Sequence, residues 1–119
     1  MSPDPSDGAA GSAQAAFDKL NALLASADAA AINPANTKEA RDAAFDLRTA
    51  TSAQLDALNQ AVITGNTVQL QAAADEMKPG MEELKELKKK IEGIGNGLKE
   101  ATAIISGIDS AISELGKLP

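Results

Sequence analysis

The stretch LKELKKKIEGIGNGLKEATAIISGIDSAISEL, residues 84–115, decides how this chain folds. Two sets of positions recur through it every seven residues, three and four apart, and both extend upstream to the low seventies. One set is Leu70, Met77, Leu84, Ile91, Leu98, Ile105 and Ile112; the other is Ala73, Gly80, Leu87, Ile94, Ala101, Ile108 and Leu115. Every member is apolar or glycine. A strict seven-residue repeat belongs to helices that wrap along a seam against a partner helix, in the same chain or in another. On this reading Ile105→Ala is a core truncation costing about 2 to 5 kcal/mol. Lys89→Ala, on the opposite face, costs under about 0.5 kcal/mol.

Two features interrupt the run. Pro79-Gly80 costs roughly 4 kcal/mol in a helix interior by propensity alone, which predicts a break or sharp kink. Gly93, Gly95 and Gly97 cost about 3 kcal/mol relative to alanine and look like a turn. All three nevertheless fall off the seam, and the phase passes unshifted from Ile91 to Leu98. Two readings follow: a fourth helix over 98–117 that folds back, or one long glycine-thinned helix over 81–117. Segments of comparable length suit an up-down four-helix bundle and favour the turn.

Upstream, Ala16, Phe17, Leu20, Leu23, Leu24, Ala27 and Ala31 mark one apolar stripe, predicting a helix over 12–32 that Asn33-Pro34 stops. Asn36, three residues before Glu39, reads as the N-cap of a capping box. The helix it opens, over 37–64, buries Ala40, Ala44, Leu47, Ala50 or Thr51, Leu55, Leu58 and Val62. Thr64-Gly65-Asn66 supplies a C′ glycine and a new N-cap for a third helix from residue 67. Residues 1–11, with their prolines and glycines, read as a flexible leader; 12–119 form one domain. The expected fold is all-α, an antiparallel bundle of three to four helices whose C-terminal half is heptad-patterned, like a coiled coil.

Composition narrows the chemistry. Of 119 residues 44% are hydrophobic and 24% charged, a globular balance, but there is no Cys, His, Trp or Tyr and only two Phe. Most nucleophiles, proton shuttles and soft-metal ligands are thereby removed, and a non-enzymatic protein without cofactor or bound metal is expected. The densest carboxylate group, Asp75, Glu76, Glu82, Glu83 and Glu86, is interleaved with Lys78, Lys85, Lys88, Lys89 and Lys90. Pairs such as Glu82 with Lys85 and Glu86 with Lys90 make it a solvated, ion-paired helix face. Gly93-x-Gly95-x-Gly97 follows a helix rather than a strand and lacks phosphate-loop spacing. A net charge of −6 makes this an acidic protein that repels phosphate backbones, so no nucleic-acid partner is expected.

Ile104, Ile108, Ala111 and Leu115 belong to an apolar face broader than a two-helix seam requires. It serves either as bundle core or as the surface that docks a partner. The expected function is a non-catalytic interaction or structural module that binds a protein partner, of inhibitor, immunity, chaperone or secretion-accessory type. The alternative is an amphipathic protein of membrane or lipid surfaces, disfavoured by the lack of Trp and Tyr anchors and the scarcity of Arg. Glu83 and Lys88 flank the seam at the five-residue offset by which parallel helices pair charges, which brings in a homodimer. The N-terminus lacks a signal peptide's basic region and apolar run, which fits a cytoplasmic chain or an exported one whose signal has been removed. In composition alone the chain resembles many small bacterial proteins.

Overall fold

A computed structural model describes residues 5–64 and 67–117. Four helices form: α1 Pro5–Ile32, α2 Lys38–Thr64, α3 Thr67–Ile94 and α4 Ala101–Leu115, with a 3-10 turn at Gly95–Gly97 before α4. The helices pack as a square. α1 touches α2 and α4, α3 touches the same two, and the α1–α3 diagonal is nearly empty. This is the expected antiparallel bundle, 50 × 26 × 20 Å. Its core is Leu20, Leu23, Leu47, Leu58, Met77, Leu84, Ile91, Ile104 and Ile108, all fully buried. Alanines such as Ala16, Ala27, Ala40 and Ala44 fill the gaps between them.

Five places of the sequence reading are decided by the structure, four as corrections and one, the turn at 93–97, as favoured. α1 begins at Pro5 rather than at residue 12, so the backbone of 5–11 is helical. Proline suits a first helical position because its missing N–H has no partner there and its φ is already helical. Residues 1–4 of the expected leader lie outside the described residues, as do Gly65 and Asn66 of the expected cap. The side chains of Val62 and Leu70 lie outside the described set as well.

Second, Thr37 and not Asn36 caps α2. The Thr37 hydroxyl accepts from the Ala40 N–H at 3.2 Å, and its carbonyl accepts from Arg41 at 2.9 Å. Asn36 is instead turned inward and buried, because three partners hold it there. Its amide donates to the Ala30 carbonyl at 3.0 Å and to Glu100 Oε2 at 2.8 Å, and its Oδ1 accepts the Lys99 N–H at 2.7 Å. Asn33 donates to the other Glu100 oxygen at 2.7 Å, and the Thr37 N–H reaches the Gly97 carbonyl at 3.1 Å. These bonds clamp the α1–α2 turn to the α3–α4 turn. Burial works against ionisation of Glu100, but the amides of Asn36 and Asn33 and its own N–H outweigh it and hold the carboxyl below its ordinary 4.5.

Third, α3 runs unbroken through Pro79-Gly80. The buried Gln54 of α2 donates its side-chain amide to the Met77 carbonyl at 3.0 Å. A Cβ on Gly80 would overlap that amide nitrogen and lie 2.6 Å from Gln54 Cδ, so the glycine makes room for the interhelix bond. Packing thus overrides propensity. Gly80→Ala is expected to destabilise by about 1 kcal/mol, since displacing a buried amide outweighs the helix-propensity gain. In a Gln54→Ala background the sign reverses and Gly80→Ala stabilises by about 1 kcal/mol. Urea unfolding of the four chains measures both.

Fourth, of the two readings of 93–97, the turn is found. Gly95 sits at φ 63°, a left-handed conformation open to glycine, and there the chain reverses. Fifth, only part of the seam keeps its place across this turn. α3 buries Leu84, Leu87 and Ile91 as expected, and Leu98, Ile108 and Leu115 are buried as expected too, but on α4 Ile104 and Ala111 take the buried places expected of Ile105 and Ile112. Ile105 and Ile112 are left half-buried. Once α4 is a separate helix, its rotation is set by docking on α1, against which it packs more extensively than against α3.

Candidate functional site

The four residues singled out as a partner surface, Ile104, Ile108, Ala111 and Leu115, are inside the bundle. They meet α1 and the core, and no partner reaches them while α4 is docked. The structure therefore assigns that broad face to the core, the other of its two readings. Apolar surface is left elsewhere, at Ile32 (77% exposed), Phe45 (54%) and Val68 (71%).

Phe45 lies one helical turn before Arg48, which lines a surface groove between α1 and α2. This groove, of about 560 Å³, runs along the outer face of the α1–α2 pair and is lined by Leu24, Asp28, Arg48, Thr49, Ser52 and Asp56, among others. Arg48 stands at its end nearest the α1–α2 turn, with Nε 2.9 Å from Asp28 Oδ1 and its guanidinium 5.9 Å above the Phe45 ring. Ile32 lies one helical turn beyond Asp28 on α1, and Phe45 one turn before Arg48 on α2. Two exposed apolar side chains, Ile32 and Phe45, thus stand on the turn side of the ion pair, beyond the residues that line the groove. Both Asp28 and Arg48 are about half exposed, so their bridge orients the arginine more than it stabilises the fold. Sequence reasoning missed this site. The available signal was Phe45 itself, a large aromatic on a helix whose buried stripe passes through Ala44 and Leu47 and leaves 45 outside.

The acid-lysine cluster of α3 is a paired surface, as expected, with some partners changed. Lys85 meets Glu82 at 3.1 Å and Lys78 meets Asp75 at 3.1 Å. Glu86 takes Lys89 at 3.7 Å rather than Lys90, which reaches Asp46 of α2 at 3.8 Å. Lys88 crosses to Asp109 of α4 at 2.7 Å, and that hydrogen bond raises the ammonium above its ordinary 10.5 although desolvation opposes it. Among the described residues no group of three or more His, Cys, Asp or Glu side chains has the geometry to hold a metal ion. Among them, too, no helix is long and apolar enough to cross a membrane. Compared with protein-family models, with curated proteins and with solved structures, the chain finds no match.

Proposed function

We propose that this chain is a non-catalytic helical module that binds a protein partner along the α1–α2 groove, with Phe45 and Arg48 as its anchors. The observation that carries the reading is the exposed Phe45 ring held under the guanidinium of Arg48, which lines the groove. Aromatic and arginine side chains supply most of the binding energy in protein interfaces, and a shallow groove between two helices accepts a partner helix or an extended segment. The absence of cysteine and histidine from the sequence supports a binding rather than a catalytic role.

A photo-crosslinking residue placed at position 45, with position 89 on α3 as control, tests this in extracts of the native host. A specific adduct is expected from 45 and not from 89. With the captured protein purified, Phe45→Ala and Arg48→Ala each weaken its binding by about 2 kcal/mol or more, while circular dichroism is unchanged because both side chains are exposed. Equal capture at 45 and 89 defeats the groove assignment. Flotation of the chain with neutral liposomes replaces the protein partner with a lipid surface.

A further inference from the structure

The apolar seam passes through residues 93–97 without losing phase, yet a chain that turns there has no use for that continuity. The closed bundle departs from it: Ile94 and Ala101 beside the turn, and Ile105 and Ile112 on α4, are left half-buried. Four seam positions, three of them isoleucine, are therefore only partly covered. The three glycines are not equivalent either. Gly93 is an ordinary residue of α3, whereas Gly95 alone among the described residues holds a positive φ.

We infer that the α3–α4 turn is a hinge through which two copies of this chain exchange α4. Straightened, residues 67–115 become one helix, and the α4 of each copy seats in the groove that the other has vacated. The closed bundle already displays the register. Lys88 of α3 pairs with Asp109 of α4, which centres the antiparallel α3–α4 pair near Leu98. Two straightened helices crossing antiparallel at that point set Leu84 opposite Ile112, Ile91 opposite Ile105, Ile94 opposite Ala101, and Leu98 opposite its own copy. Lys88 then meets Asp109 of the second copy. The seam is self-complementary in this register, so the occupant is another molecule of the same chain. Exchange re-forms the α4 contacts of the closed bundle between copies, gives up the Thr37–Gly97 and Asn36–Lys99 bonds that hold the turn, and sets Ile94, Leu98 and Ala101 against a facing helix. This inference is independent of the α1–α2 groove.

The glycines allow a graded test. Gly95→Ala penalises only the turned form, because a φ of 63° is one that L side chains rarely adopt. Gly97→Ala adds to this, since its Cβ would lie 3.1 Å from Ile94 Cγ2 and Thr37 Oγ1. Gly93→Ala is the control: its Cβ meets nothing within 4 Å and the position is helical in both forms. Sedimentation over a wide concentration range should show the dimerisation constant of G95A/G97A raised at least about tenfold over G93A, as one left-handed residue per chain implies. Copies carrying K88C and copies carrying D109C, each in the G95A/G97A background, are then unfolded, mixed, refolded and mildly oxidised. A disulfide joining the two kinds of copy is expected. An association constant equal to that of G93A overturns the inference, and so does a dimer lacking the 88–109 link, as a parallel pairing predicts. Should G95A/G97A lose its helical spectrum, the same two cysteine variants in the otherwise unaltered chain, refolded together at high concentration, decide between exchange and none.

Discussion

Ile104→Ala is expected to cost about 2 to 5 kcal/mol of stability and Ile105→Ala about 1 kcal/mol, read from denaturant midpoints at constant slope. The two side chains are adjacent and chemically identical, so burial alone separates them. Ile104 is 0% exposed and sits in the core, whereas Ile105 packs at its edge, half-covered. Truncating the first leaves a cavity among close-packed neighbours. Truncating the second removes area that water already partly reaches. This order is the reverse of the one the unshifted seam implies. If Ile105→Ala proves the more costly, α4 is rotated by about one residue from the orientation described above. Lys89→Ala, on an exposed α3 face, stays under about 0.5 kcal/mol either way.

Asn36→Ala is expected to cost about 2 to 4 kcal/mol, the largest effect of any polar substitution among the described residues. One side chain serves three partners at a covered junction, and removing it strands the Lys99 N–H and takes one donor each from the Ala30 carbonyl and the Glu100 carboxylate, both of which keep Asn33. Asn33→Ala removes a single bond to Glu100 at a half-buried position and costs about 1 kcal/mol. The effect of Asn36→Ala also depends on pH. Glu100 is held below its ordinary value in the fold, so its contribution is fully present above about 4.5 and fades as pH falls through the lower folded value. The gap in stability between the parent chain and Asn36→Ala should accordingly narrow below pH 4.5. Thermal melts between pH 3 and 7 measure it, and a gap that does not change with pH removes Glu100 from the clamp.

The fold class was legible in the sequence because its signals are local. The 3.6-residue spacing of Leu20, Leu23 and Ala27, of Ala40, Ala44 and Leu47, and of Met77, Leu84 and Ile91 marks the buried face of each helix without reference to any neighbour. Asn33-Pro34 ends α1 through a steric clash confined to two residues, and the Asn33 side chain, accepting the Ala35 N–H at 3.0 Å, completes the turn. Every α2 position from Ala40 to Leu58 that the periodicity marks is buried, while the side chain of Val62, the last of the stripe, lies outside the described residues.

What the sequence left open depended on residues far apart in the chain. Pro79-Gly80 reads as a break until Gln54, more than twenty residues away, is seen to donate to the Met77 carbonyl in the space the glycine leaves. Asn36 reads as a cap until Glu100 and Lys99 arrive from the opposite turn and leave capping to Thr37. The candidate site changed for the same reason. Periodicity identifies an apolar face on α4, but whether Ile104 and Ala111 meet solvent, a partner or α1 is a question of rotation about the helix axis. Docking on α1 answers it by burying them, and the exposed large apolar side chains are then Ile32 on α1, Phe45 on α2 and Val68 on α3. Local sequence determined where helices form and which stripe each would bury. The tertiary structure alone decided how α4 turns and which polar groups tie the ends together, because those energies belong to contacts between helices and not to any one of them.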